Sequence, residues 1–428
     1  MLTEPYTLPR HCKVMHNENR TVLGNNKTGE WIKISEQCFN ILNLGIENSL
    51  SPAQLIDCLE DEEDKLYFGE LFEKLHSIDL IKENNESSNA DQSFSHIYFA
   101  LTNKCNLHCA HCCYNAEFTS TLSPKETLTT IEVIQIIDKI LASKPEVITF
   151  SGGEPMLRDD FFEILKYTSQ NFKGKINLAT NATFINQNNV EDLVKYVGSF
   201  DISLDGVDEE SCSQLRGRGV YGKVLNSIAL LQEQGIEKIS LSMVITDKNK
   251  HLEGEFRDLN KKLGTRVVVR QFNPIGRGKN LIKNSVHKEK TIERQLSNEK
   301  VKQIADQLKM CTCGAGGKTL LVDYDGSIYP CGLLISSEHK LAQIKELDHL
   351  NRLHEDATRE TNTGFQSLIN LQPDYYHKCK DCSVNLFCWH CLQETEMYAA
   401  NDELFEERCV VQKKFLNRII WDIEEVNV

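Results

Sequence analysis

Cys105-Asn106-Leu107-His108-Cys109-Ala110-His111-Cys112 is a C-x3-C-x2-C run, with three thiols inside eight residues. It comes straight after the apolar stretch 97–102. A strand that ends in such a loop presents its cysteines at one end of a sheet. Iron–sulfur clusters are held by Cys thiolates, as a rule four. Three local thiols leave one iron open to a substrate or cofactor. Zinc is the competing metal, but zinc sites draw on a second pair of ligands, as C-x2-C pairs do.

The whole chain sets bounds on this reading. At 428 residues it has room for two or three domains. No run of eighteen apolar residues occurs, so no membrane span is expected. The start, Met1-Leu2-Thr3-Glu4-Pro5, lacks the basic and apolar stretches of a signal peptide. The sixteen Cys are clustered rather than spread, which suits metal sites in a reducing cytoplasm. A net charge of −14 argues against nucleic acid as a partner.

From residue 95 onward strands and helices alternate. Candidate strands are 97–101, 147–150, 176–180, 200–204, 238–245 and 266–272. Helical stretches lie near 126–141, 159–170, 188–197, 222–234 and 250–263. The first has Leu128, Ile131, Ile134, Ile137 and Leu141 at helical spacing. Six such units predict an α/β fold with a parallel, barrel-like sheet of (β/α)6 type, short of a full eightfold barrel. In that geometry functional residues sit at the C-terminal ends of the strands. The second strand ends in Ser151-Gly152-Gly153-Glu154-Pro155, where the glycines allow close approach to a ligand and Glu154 offers an acceptor to an ammonium group. The third ends at Thr180-Asn181-Ala182. The fourth gives Asp201-Ile202-Ser203-Leu204-Asp205-Gly206, whose alternation puts Asp201, Ser203 and Asp205 on one face. Arg216 and Arg218 follow.

These motifs together resemble the radical S-adenosylmethionine (SAM) enzymes. The resemblance implies that Cys105, Cys109 and Cys112 hold a 4Fe–4S cluster whose open iron chelates SAM. Gly152, Gly153, Glu154 and Pro155 correspond to the motif that contacts the SAM amino group. Asn181, Ser203 and Asp205 fall at SAM-associated positions, and Val244 and Ile245 bring the fifth strand's backbone against adenine. Arg216 resembles the Arg that pairs with the SAM carboxylate, a task that suits a bidentate guanidinium; Arg218 is the alternative. Asn273-Pro274-Ile275-Gly276-Arg277-Gly278 is similar to the turn that precedes the family's C-terminal extension. Residues 279–298 are polar and read as an exposed bridge.

The C-terminal third carries eight more Cys. Cys311 and Cys313 come first. Cys313 is followed by twelve residues, Gly326, four residues and Cys331. Cys379-x2-Cys382-x5-Cys388-x2-Cys391 and Cys409 complete the order. A hairpin with its turn at Tyr324-Asp325-Gly326 is expected to bring Cys313 and Cys331 together. The pattern resembles the SPASM extension, although the last gap of the quartet is one residue short. The resemblance implies two auxiliary 4Fe–4S clusters, one on Cys311, Cys313, Cys331 and Cys391, the other on Cys379, Cys382, Cys388 and Cys409. A zinc ribbon is the structural alternative. Cys12, Cys38, Cys58, Cys113 and Cys212 read as ordinary buried or half-buried thiols.

Residues 1–83 read as a separate small domain. Segments 12–17, 21–25 and 31–34 are candidate strands, three helices follow, and 78–81 is a candidate return strand. This order suggests a winged helix-turn-helix. Eight Lys and Arg against fifteen Asp and Glu in the segment weigh against a phosphate-binding face. The pattern resembles the PqqD-like recognition element of enzymes that modify ribosomally made peptides, which binds a precursor's leader by strand addition. The expected domain order is therefore 1–83 leader recognition, 84–94 linker, 95–290 radical SAM core, 309–412 SPASM domain and 413–428 C-terminal helix.

The combination implies a cytoplasmic peptide maturase that abstracts a hydrogen and forms a cross-link. A Cys thioether of the sactipeptide or ranthipeptide kind comes first, and a carbon–carbon or carbon–oxygen link second. A formylglycine-generating maturase of the sulfatase type is a further enzyme reading. Expected partners are the precursor peptide and an electron donor such as flavodoxin or ferredoxin, with no nucleic acid and no membrane. A non-catalytic iron–sulfur sensor with a DNA-binding domain is the reading from another class. It leaves Gly152–Pro155 without a use.

Overall fold

The six strands expected between residues 97 and 272 form, each with its ends moved by at most two residues. The computed structural model describes residues 4–83, 93–120, 126–284, 297–389 and 391–423. The expected linker 84–94 and bridge 279–298 fall largely outside these, as do residues 424–428.

The chain divides into two compact units, and neither is a single stretch of sequence. One comprises Met1–Asp91, Glu289–Gly314 and Ile369–Val428; the other comprises Gln92–Lys288 and Ala315–Leu368.

In the first unit, β1 (Cys12–Asn17), β2 (Arg20–Asn25) and β3 (Trp31–Ser35) form an antiparallel sheet. Three helices follow, α1 (Glu36–Glu47), α2 (Pro52–Asp57) and α3 (Glu62–Ser77). Each has a side-chain cap: Ser35 on α1, Ser51 with Gln54 in a capping box on α2, and Asp61 on α3. Acidic Glu62, Glu63 and Asp64 suit the positive end of α3. The return strand comes later than expected. Ile78 caps α3, and Lys82–Glu83 pairs with Tyr6–Thr7.

Alternation along these strands gives the sheet two apolar faces. Leu23, Ile32 and Ile34 join a core with Leu42, Phe68, Leu71, Phe72 and Leu75 of the helices. Met15, Val22 and Trp31 lie in a second core with Met310, Phe387, Leu416, Ile420 and Trp421. The Trp31 and Phe387 rings meet edge to face, 4.9 Å apart, and the Trp31 indole donates to the Leu308 carbonyl at 2.8 Å. The C-terminal helix Asp402–Ile420 ends against this sheet. Lys33 donates to the Ile420 carbonyl at 2.8 Å and Arg20 to the Trp421 carbonyl at 2.6 Å. Cationic donors there satisfy carbonyls that a helix end leaves open.

In the second unit, β4 (His96–Thr102), β5 (Val147–Gly152), β6 (Lys175–Thr180), β7 (Ser199–Ser203), β8 (Ile239–Ile245) and β9 (Arg266–Gln271) run parallel in sequence order. Ile97, Phe99, Ile148, Phe150, Leu178, Phe200, Ile202, Leu241 and Met243 are fully buried. Residues one step off carry polar groups instead: Asn177 donates to Thr149 and Asp201, and Ser199 donates to Asn177.

Two expectations need correction. The first barrel helix runs Thr130–Ala142 and buries Val133, Ile136, Ile137 and Ile140. Of the expected stripe, Ile137 is buried, Ile134 and Leu141 are half-buried, and Ile131 is 70% exposed. An additional helix, Glu209–Arg216, fills the loop after β7, started by a capping box of Asp208 and Ser211.

The SPASM-like segment contributes β10 (Thr319–Val322), β11 (Ser327–Tyr329) and β12 (Ala342–Gln343). The expected hairpin forms between β10 and β11 and turns at Gly326, whose φ is +81°. Unanticipated was its docking. β10 pairs in parallel with β4, which makes a mixed nine-stranded sheet in the order β9-β8-β7-β6-β5-β4-β10-β11-β12.

Candidate functional site

The cysteine loop begins where β4 ends and is held from three sides. Gly152 and Gly153 let the end of β5 close on it. A Cβ on Gly152 would lie 2.3 Å from the Thr102 carbonyl, and one on Gly153 2.0 Å from that of Lys104. The close approach that the glycines permit is thus to the strand carrying the cysteines. Gly153 and Glu154 donate their amides to these same carbonyls, both at 2.8 Å.

The second clamp is Arg277, which the sequence reading left as part of a turn. Its amide donates to the Cys112 carbonyl, its Nε to Cys109 and its Nη1 to Ala116, all at 2.9 Å. Gly276 beside it has φ +55°, and a Cβ there would stand 2.3 Å from the Cys113 carbonyl.

The third clamp is Asp205, itself in the left-handed region at φ +65°. Its Oδ1 accepts the Val244 amide at 2.6 Å. Its Oδ2 lies 2.6 Å from Arg216 Nε and 2.9 Å from His111 Nε2. These two approaches are ion-pair contacts rather than aligned hydrogen bonds. Burial alone would raise the Asp205 carboxyl; Arg216 and His111 outweigh it and hold the group well below the usual carboxylate range. Arg216 also points Nη1 at the Cys109 sulfur, 3.9 Å away, so the Arg expected to meet a SAM carboxylate is already paired. Arg218 is exposed. His111 Nδ1 is buried and has no hydrogen-bond partner among the described residues. That is the kind of atom a ligand satisfies.

Glu154 is fully buried. It accepts from Thr180 Oγ1 at 2.8 and 3.0 Å, from the Asn181 amide at 2.8 Å and from the Met156 amide at 3.2 Å. Burial nevertheless pushes its carboxyl up to about 7. A buried carboxylate whose partners are hydroxyl and amide donors is a fitting seat for an ammonium group. Asn181 donates to Asn106 Oδ1 at 2.9 Å and approaches the Cys105 sulfur at 3.8 Å. Ser203 closes β7.

The three thiols are within electrostatic range of one another, and burial pushes that of Cys105 up to about 12. Such thiols ionise when iron binds them. Among the described residues no three His, Cys, Asp or Glu side chains are gathered as ligands of a single ion. Each thiolate of a four-iron cluster binds a different iron, so thiols for a cluster need not converge on one point.

The other cysteine group lies in the first unit. Cys379, Cys382, Cys388 and Cys409 line one cavity with Trp389, Phe405 and Arg408. Burial pushes the Cys379 thiol up to about 11. Arg408 Nη1 lies 3.1 Å from the Cys388 sulfur, and Nη2 donates to the Cys388 carbonyl at 2.6 Å. Its guanidinium sits over the rings of Trp389 and Tyr398, 4.5 and 5.1 Å from their centroids. An all-thiol donor set lining one cavity fits an iron–sulfur cluster. The C-x-C pair splits within this unit. Cys311 interacts electrostatically with Cys388 and Arg408, Cys313 with Cys391. Cys331 follows β11 in the other unit.

Among known proteins, the family model of the Radical SAM superfamily matches residues 99–259. The mycofactocin maturase MftC of Mycolicibacterium smegmatis is 28% identical over 255 residues, 55% of this chain and 63% of the relative. The antilisterial bacteriocin subtilosin biosynthesis protein AlbA of Bacillus subtilis is 27% identical over 322 residues, 70% of this chain and 64% of the relative. The chain thus spans just under two thirds of the length of these relatives. Streptococcus suis SuiB, solved bound to the precursor peptide SuiA, is similar in fold with a TM-score of 0.50 at 16% identity, over 90% of this chain and 94% of SuiB. The matched segment, residues 99–259, holds the cysteine loop and strands β5 to β8. No helix among the described residues is long and apolar enough to cross a membrane.

Proposed function

We propose that this protein is a radical SAM maturase that modifies a ribosomally made precursor peptide by hydrogen abstraction and cross-link formation, with a Cys thioether as the product. The observation that carries the reading is the barrel site. Three thiols on one clamped loop face Glu154, Asn181 and the Asp205–Arg216 pair at the C-terminal strand ends. When bound, the cluster and SAM supply a strong hydrogen-abstracting radical. The chain's own part is positioning: Glu154 receives the SAM ammonium, and Asp205 fixes His111, Arg216 and the Val244 backbone around the loop. The relatives' names, a mycofactocin maturase and a bacteriocin biosynthesis protein, and the precursor peptide bound to SuiB favour a peptide substrate. A flavodoxin or ferredoxin is the proposed electron donor.

Residues 1–83 are proposed to bind the precursor's leader by strand addition. The edge strand β3 suits this. Asn25 donates its amide to the Glu30 carbonyl, so hydrogen bonds to β2 fall on even-numbered residues. The amides of Trp31 and Lys33 then point away from β2, towards an added strand.

Two auxiliary clusters complete the proposal, with the cysteine sets named above. Gly332 follows Cys331 and offers no side chain as a base, which favours a thioether over formylglycine. The test is to incubate the reconstituted enzyme with a short Cys-bearing peptide encoded beside it. The expected product is lighter by two hydrogens and lacks a free thiol; a hydrazine-reactive aldehyde at a substrate Cys or Ser overturns the thioether assignment. Amide exchange at Trp31 and Lys33 should slow when the leader is added, and unchanged exchange there removes the leader-binding role from β3.

A further inference from the structure

Of the cations that line the second cysteine cavity, Arg408 reaches a sulfur, a contact that binding of iron alone does not require. We propose that Arg408, assisted by Trp389, sets the reduction potential of the cluster held by Cys379, Cys382, Cys388 and Cys409, raising it by donating to the ligand sulfurs. The inference rests on the auxiliary-cluster reading above.

Arg408 is one residue from Cys409 on the C-terminal helix, so the helix that supplies a ligand also supplies the donor. Its Nη1 stands 3.1 Å from the Cys388 sulfur, well inside the reach of a hydrogen bond to sulfur. Three further contacts fix that approach: the 2.6 Å bond to the Cys388 carbonyl and the two aromatic rings. A guanidinium held at four points loses little additional freedom when it donates. Trp389 adds a second donor. Its indole N–H is buried, makes no hydrogen bond among the described residues, and belongs to a residue that lines the same cavity as Cys379.

Hydrogen bonds to the sulfurs and nearby positive charge favour the reduced form of a cluster, because reduction adds a negative charge. The effect is large in a water-poor pocket, where charges interact more strongly. The barrel site has the opposite setting. Arg216 is 3.9 Å from its sulfur, and its charge is matched by buried Asp205 at 2.6 Å.

The test uses the reconstituted full-length chain with Cys105→Ala, Cys109→Ala and Cys112→Ala, so that only auxiliary clusters contribute to the EPR signal. Arg408→Gln is titrated against the parent protein. One cluster signal should shift at least tenfold towards its oxidised form at a fixed poise, which is about 59 mV for a one-electron couple. Trp389→Phe, which keeps the ring and removes the N–H, should shift the same signal in the same direction by less. Arg408→Lys, which keeps the charge and loses the fork, should fall between the parent and Arg408→Gln. If Arg408→Gln fails to retain iron, the other two substitutions decide. Unmoved potentials with full iron content overturn the inference while leaving the cluster in place. A parent protein whose iron and EPR signals show no cluster on the Cys379 set overturns the auxiliary reading itself, and the inference with it.

Discussion

Two cysteine sites on one chain are built with opposite electrostatics. At the barrel site Asp205 neutralises Arg216, Arg277 donates to loop carbonyls rather than to a sulfur, and Glu154 is buried among hydroxyl and amide donors. At the C-terminal site Arg408 points at a ligand sulfur, and Lys378 and Lys413 line the same cavity. A site that must drive a difficult reduction gains from the first arrangement, and a site that accepts or relays electrons gains from the second. Cysteine spacing alone does not separate the two, because the difference lies in residues between and beside the cysteines.

The largest expected effect breaks the comparison at its first member. Changing Cys105, Cys109 and Cys112 together to Ala should abolish 5′-deoxyadenosine formation while the absorbance of the auxiliary clusters survives. Continued SAM cleavage by that protein would sink the radical SAM assignment of the loop.

Asp205→Asn comes next. It leaves Arg216 buried without its counter-charge, and such a loss costs about 3–5 kcal/mol. Denaturant unfolding should show the drop, and a cost below about 1 kcal/mol would mean that the triad does not anchor the loop. The pH sense follows from the depressed carboxyl. Its contribution is fully present above the ordinary carboxylate range and is lost as pH falls through the lowered value.

Glu154 runs the other way. Its carboxyl is raised to about 7, so the folded chain keeps this proton longer than the unfolded chain does. The unliganded protein therefore loses stability as pH rises from the ordinary carboxylate value towards 7. An ammonium ligand pairs with the ionised form only. The apparent Kd of the reconstituted enzyme for SAM should rise about tenfold between pH 8 and pH 6, and Glu154→Gln should flatten that dependence. An equally steep profile in the variant would place the titration elsewhere.

Trp31→Phe is the mildest. It removes the indole bond to the Leu308 carbonyl and keeps most of the ring against Phe387. The expected loss is about 0.5–1.5 kcal/mol. Calorimetry on the full chain would read it as a small fall in Tm, and no fall would mean that the Leu308 carbonyl is satisfied by water instead.

Much of the barrel was legible in the sequence, because apolar runs such as 147–150 and 200–204 carry the mark of buried parallel strands. The short helix Glu209–Arg216 was not: it buries only Cys212 and Leu215, too few apolar positions to show a period. The parallel docking of β10 on β4 was also hidden, since a strand's neighbour leaves no local trace. Glu154, Asp205 and Arg216 were found from motifs, yet the contact between Asp205 and Arg216 was not anticipated. Arg277 and His111 were passed over although both lie inside quoted motifs. Arg408 had one signal, adjacency to Cys409, which by itself is weak.

The sheet of residues 12–35 has a consequence for how the protein comes off the ribosome. Met15, Val22 and Trp31 find their partners Phe387, Leu416 and Ile420 in chain that emerges about 350 residues later. At roughly 5–20 residues per second, that face waits on the order of 20–70 s before it is covered. During that time it presents exposed apolar surface beside unpaired strand edges, the state in which nascent chains associate wrongly. A ribosome that stalls before residue 384 therefore leaves a chain that has completed its helix-facing core, with most of the other side of the same sheet open to whatever apolar segment arrives first.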